Sequence, residues 1–132
     1  MSGTTANLNN EGQNFDNGND GITIIKNLEV IPGGKTLDTT GFTPPIIRAG
    51  HVIIEEDATG VLKPMPITGK AYAAKPANHS YKGVVVSTVA TNKPFVSCMI
   101  RGSVNYEAGP YTATSILAAL RTALPLINFT KE

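Results

Sequence analysis

The sequence predicts a mainly β protein, a small irregular β-barrel or sandwich with one C-terminal helix and a disordered N-terminal arm. Three observations point there. Short apolar, β-branched runs alternate with turn residues, and 13 Gly and 9 Pro among 132 residues leave little room for long elements. One helix-spaced apolar stripe occurs near the C-terminus. The first 21 residues carry too little apolar content to form a core. Five or six short strands with one late helix predict no βαβ units and no parallel α/β sheet. The expected division is an arm over residues 1–21 and a β-rich domain over residues 22–132.

Residues 1–21 read MSGTTANLNNEGQNFDNGNDG. Their charges are Glu11, Asp16 and Asp20, and their large apolar side chains past Met1 are Leu8 and Phe15. Burial on that scale does not offset the backbone entropy lost on ordering, about 1–2 kcal/mol per residue. Two readings follow. The segment is a solvated leader without a role, or it is an arm that orders on a partner, with Leu8 and Phe15 as its anchors.

The domain opens with a strand over residues 22–31. Ile22, Ile24, Lys26, Leu28 and Val30 share one face of an extended chain, and only Lys26 breaks the apolar row. Pro32-Gly33-Gly34 ends it, and residues 37–45, with Gly41, Pro44 and Pro45, read as an irregular loop. Residues 51–55 give a strand and residues 61–67 a second extended run, joined as a hairpin by the polar residues 56–60. Pro64 and Pro66 have no N–H to donate, which places the second run at an edge or a bend. Residues 68–78 read as loop.

Residues 81–89 form the next strand, and the adjacent Val84, Val85 and Val86 predict burial on both faces. Thr91-Asn92-Lys93-Pro94 turns the chain, and residues 95–104 return as its hairpin partner. Ile116, Leu117, Leu120 and Leu124 make the stripe of the one helix, with Thr112 or Thr114 as its cap and Pro125 as its stop. Residues 126–129 give a last short strand.

Charge and composition narrow the partners. A formal net charge of +1 provides no electrostatic grip on nucleic acid or anionic lipid, so neither is expected. No apolar run approaches the roughly 20 residues that cross a bilayer. The N-terminus shows no signal-peptide pattern. The single Cys98 has no partner for an internal disulfide, which fits folding in a reducing cytoplasm.

The motifs give no catalytic centre. Gly34-Lys35-Thr36 follows a strand, but a phosphate-binding loop would need Gly where Glu29 stands, and a helix directly after. His51, His79 and Cys98 lack the spacing of a metal site; His51 reads as a strand-start residue and His79 as a loop residue. Glu55, Glu56 and Asp57 alternate between strand faces, so they read as a solvated hairpin tip rather than an acid/base pair. Cys98 sits among Val96, Met99 and Ile100 and reads as an inert core thiol. Tyr72, Tyr81, Tyr106 and Tyr111 are spread singly along the chain. No enzyme activity, cofactor or metal is expected.

One resemblance gives direction. Ala49-Gly50 enters a strand, Gly60-Val61-Leu62-Lys63-Pro64 returns, Gly83-Val84-Val85 follows, and a hydrophobic strand ends in Arg101-Gly102-Ser103-Val104. A helix and then Leu126-Ile127-Asn128-Phe129 close the chain. Over residues 46–129 this order is similar to that of phage capsid decoration proteins of the lambda-type head-stabilising family. The resemblance implies a β-rich fold that forms a homotrimer at local symmetry axes of an icosahedral shell. It implies binding to the outer surface of the major capsid protein after expansion, support of the head against genome pressure, and a place in the virion after assembly in the host cytoplasm. It also implies an N-terminal arm that orders on the shell, although this arm is longer and richer in Asn than the shortest in the family. The alternative is a virion-surface binding module, either a head fibre or a carbohydrate- or receptor-binding protein. A small hydrolase is disfavoured by the missing triad.

Overall fold

The computed structural model describes residues 20–130. After one helical turn, α1 (Asp20–Thr23), the chain runs through β1 (Ile24–Val30), β2 (Lys35–Thr36), β3 (Ile46–Ile47), β4 (Val52–Glu56), β5 (Leu62–Pro64), β6 (Ile67–Thr68) and β7 (Ala71–Tyr72). It continues through β8 (His79–Val85), β9 (Val89–Ala90), β10 (Phe95–Val96), β11 (Cys98–Asn105), α2 (Leu117–Ala123) and β12 (Ile127–Thr130). The protein is mainly β, and its sheets are sandwich-like without closing into a barrel.

The main sheet has six strands in the order β1-β11-β8-β4-β5, with β12 also on β11. Strand β11 organises it. Along one edge β11 pairs with β1, from Ile24↔Val104 to Val30↔Met99. Along the other, Cys98 and Met99 pair with Val85 and Val84 of β8, and Gly102 to Asn105 pair with β12. Pro64 lies on the outer strand β5, opposite Ile53, so its missing N–H interrupts no ladder. Three small antiparallel pairs, β2–β10, β3–β9 and β6–β7, flank the main sheet.

Both faces of the sheet are buried. Val52, Ile54, Val84, Met99 and Val104 join one apolar cluster with Leu120, Leu124, Ile127 and Phe129. Ile53, Val85 and Cys98 point the other way, into a cluster with Leu37, Ile47, Leu62 and Val96. Consecutive residues therefore feed opposite cores, as the period-2 geometry of a strand requires. The three valines behave as expected, since Val84 and Val85 are fully buried on opposite faces and Val86 packs partly buried on the first cluster. The helical stripe also holds. Ile116, Leu120 and Leu124 are buried in the first cluster and Leu117 packs beside them. Burying each such side chain stabilises by about 1.5–3 kcal/mol.

Several expectations need correction. Neither Thr112 nor Thr114 caps α2; Ile116 occupies the cap position without a side-chain bond. Thr112 is held elsewhere, because its N–H donates to the Lys70 carbonyl and its carbonyl accepts from the Tyr72 N–H. That tie delays the helix by one turn. The stretch expected as loop after residue 67 contains the β6–β7 hairpin, turning at Gly69-Lys70 and burying Tyr72. The strand expected over residues 81–89 starts earlier, so His79 begins β8 rather than lying in a loop. The strand expected over residues 95–104 breaks at Ser97, because Phe95 and Val96 pair with β2 instead. A βαβ unit does form, since β12 returns parallel to β11 after α2. The crossover of more than a dozen residues that a parallel pair requires is supplied by the loop and the helix.

Candidate interaction surface

The two anchors expected in the arm, Leu8 and Phe15, lie outside the described residues. What is described begins where that segment joins the sheet edge. Ile22 does not open β1; it sits in the α1 turn with 55 % of its surface exposed. The neighbouring Thr23 is buried, and its hydroxyl donates to the Ala108 carbonyl at 3.0 Å, pinning the turn.

Strand β1 does not present the continuous apolar face its sequence spacing predicts. Its register on β11 slips three times, the last between Glu29 and Val30, where Ile100 of β11 is the extra residue. Ile24 faces Val104 and Lys26 faces Ser103, which leaves Ile25 as an extra residue. Asn27 faces Gly102 and Glu29 faces Arg101, which leaves Leu28 as another. Each slip is a β-bulge, which re-aims the side chains of an edge strand. Ile24 and Val30 still pack on the core, while Ile25 and Leu28 stand 45 % and 56 % exposed.

Gly102 makes this arrangement possible. A Cβ on Gly102 would collide with the Lys26 carbonyl oxygen and crowd the Met99 sulfur, and its φ of +153° is one that side chains disfavour. Gly102 is therefore a backbone requirement of β11. Leu126, 64 % exposed, lies on the far side of the same strand, and its carbonyl accepts the Gly102 N–H at 3.2 Å. The β1 edge thus combines exposed Ile22, Ile25 and Leu28 with the charged and exposed Lys26 and Glu29. Edge strands commonly carry charge and bulges, which discourage indiscriminate strand pairing. Apolar side chains placed on the bulges leave side-chain contact as the means by which a partner can engage.

The residues screened for chemistry are engaged structurally. His51 is fully buried just before β4, ringed by Phe42 at 5.3 Å, Tyr72 at 5.3 Å and Tyr111 at 5.5 Å between centroids. Its Nε2 lies 3.0 Å from the Met65 carbonyl, so Nε2 carries the proton and donates; Nδ1 has no partner among the described residues. Burial pushes the imidazole down to about 4, so the ring is neutral near pH 7. His79 bonds the Ala77 carbonyl through Nδ1 at 2.8 Å and accepts from the Lys63 ammonium at Nε2, 3.3 Å away.

The acidic hairpin is bonded locally rather than simply solvated. Glu55 pairs with Lys82 and Glu56 with Lys63, each at 3.8 Å, and Asp57 accepts from the Ser80 hydroxyl at 2.6 Å. Such half-exposed ion pairs contribute about 0–1 kcal/mol each. Cys98 is fully buried, and desolvation pushes its thiol up to about 11, which removes the thiolate that nucleophilic chemistry needs. Lys35 and Thr36 pair with Val96 and Phe95 as a strand, leaving no phosphate loop. Among the described residues no His, Cys, Asp and Glu side chains gather as a metal site, and no helix is long and apolar enough to cross a membrane.

Three of the four tyrosines come together, while Tyr81 lies apart beside Lys75. Tyr72 and Tyr111 meet at 5.7 Å on either side of His51, and Tyr106 and Tyr111 line one cleft. The parallel bridge Ala71↔Thr112 brings their segments together. Nothing in the spacing of those residues announces it. A scan against models of protein families and searches of curated proteins and of solved structures each gave no match.

Proposed function

We propose that this protein is a capsid decoration protein of a phage virion. It binds the outer surface of the major capsid protein lattice as a homotrimer and stabilises the head. The observation that supports this most directly is the β1 edge, where Ile25 and Leu28 stay exposed at the bulges and Ile22 stays exposed in the α1 turn just before the strand. These apolar side chains directly follow the segment that carries Leu8 and Phe15, so arm and edge form one continuous stretch of chain for contact with a shell.

Affinity then comes from copy number. Ordering an arm costs roughly 2–5 kcal/mol of the gross contact energy, so one arm binds weakly. Three arms on one trimer act together, and tethering multiplies affinity by ~10²–10⁴. Strong binding is then confined to lattice sites whose spacing matches the trimer.

Co-sedimentation with expanded shells, assembled from the major capsid protein of the same genome, tests the proposal. Saturable binding of the full chain is expected, with strong loss in the Leu8→Ser/Phe15→Ser double variant. Absence of binding by the unaltered chain refutes the proposal, and undiminished binding of the double variant refutes the role of the arm.

A second reading, a virion-surface binding module, draws on the cleft between Tyr106 and Tyr111. It is compatible with the first, since one face can hold the shell while another meets solvent.

A further inference from the structure

From the β6–β7 turn and the loop between β11 and α2 we infer, resting on the second reading above, that this protein carries a binding site for a neutral carbohydrate. The two segments enclose a cleft of about 700 Å³, within the size range of small-molecule sites. Its walls carry Lys70, Tyr106, Glu107, Tyr111, Thr112 and Thr114.

The chemistry of this lining selects the ligand. Lys70 and Glu107 do not pair with each other, and the positive charge of Arg48 acts on Tyr111. The residues around the cleft include four with hydroxyls that both donate and accept, one with an ammonium that donates and one with a carboxylate that accepts. An anionic ligand would meet the carboxylate and a cationic one the ammonium. A neutral polyol satisfies both, and the two tyrosines supply the apolar surface against which sugar C–H groups pack.

The cleft is held in shape before any ligand arrives. Tyr111 is wedged against His51 and Tyr72, and Arg121 lies over the Tyr106 ring, 5.9 Å from its centroid. Asn105 Oδ1 accepts from the Glu107 and Ala108 N–H groups, and Thr23 holds the Ala108 carbonyl. Thr112 is fixed on both its backbone groups by Lys70 and Tyr72. Such a loop pays little entropy on binding, the condition under which small polar ligands gain useful affinity.

The test uses the full chain on an array of neutral and anionic glycans, followed by saturation-transfer NMR with maltotriose, chitotriose and sialyllactose. Binding of at least one neutral glycan is expected. The Tyr111→Phe/Glu107→Gln double variant keeps the packing and should weaken that binding by about tenfold, the effect of 1.4 kcal/mol of lost hydrogen bonding. Lys70→Ala, at the exposed turn, should weaken it as well. Either no glycan bound, only anionic glycans bound, or unchanged affinity in both variants overturns the inference. Shell co-sedimentation by the same variants should be unchanged, so this site and the decoration role fail separately.

Discussion

The carbonyl oxygen of Lys26 lies over the α-carbon of Gly102, where any side chain would strike it. This contact lets β1 lie on β11 with its bulges, two of which set Ile25 and Leu28 toward solvent. Gly102 has no chemistry of its own, yet the proposed contact edge depends on it.

Replacing Gly102 with Ala should therefore cost about 1–3 kcal/mol from the unfavourable φ alone, with more from the displaced strand. Urea unfolding measures the loss. Amide exchange should quicken in β1 far more than in β4 or β8, because the damage is local to the edge. Wild-type stability in the variant would mean that β1 does not press on β11 as described.

Stability should fall on acidification because of His51. Its folded-state value near 4 lies below the ordinary 6.5, so the unfolded chain binds the proton more tightly. The stabilisation is complete above about pH 6.5, declines between there and about 4, and is flat below. The full decline attributable to this ring is about 3 kcal/mol. Tyr72 and Tyr111 face the ring without charge in that range, and no charge among the described residues shifts it, burial and the Met65 carbonyl being the causes. His51→Gln can retain the bond to the Met65 carbonyl and should flatten this part of the profile in denaturant titrations at pH 7, 5 and 4. An equal slope in variant and wild type would assign the effect elsewhere.

Cys98 should resist thiol reagents in the native protein and react fully once unfolded, since burial both shields it and holds its proton. Labelling with a chromogenic disulfide at pH 8, with and without denaturant, checks this. Rapid native labelling would show an open core at the start of β11.

Leu120 is the most deeply buried residue of the helix stripe, and Leu120→Ala should cost about 2–5 kcal/mol. Thermal unfolding should report the loss as a lowered midpoint. A loss under about 1 kcal/mol would mean that α2 does not close the first core.

Much of this fold was legible from local pattern. Val84 and Val85 announced a two-faced strand because side chains alternate by chain geometry alone. The spacing of Ile116, Leu120 and Leu124 announced α2 for the same kind of reason. What escaped depends on partners distant in sequence. The bulges at Ile25 and Leu28 are set by Gly102, far along the chain. Thr114 looked like a cap, but the bonds of Thr112 to the β6–β7 turn shift the helix start past it. The tyrosine cleft needs residues 70–72 to meet residue 112, a bridge that no local propensity encodes. The exposed edge was misread for the simplest reason, since an apolar row on a strand ordinarily signals burial, and here part of it faces outward.

The claim that everything else serves is that this outward edge, with the segment before it, grips a protein lattice. The direct measurement is co-sedimentation of the Ile25→Asp/Leu28→Asp double variant with expanded shells of the major capsid protein, beside the unaltered chain. Both positions are about half exposed in an edge strand, so the stability of the domain should fall by about 1 kcal/mol per site, which leaves it folded. The account predicts a folded variant left in the supernatant while the unaltered chain pellets with the shells. A folded variant that pellets as fully as the unaltered chain would contradict it.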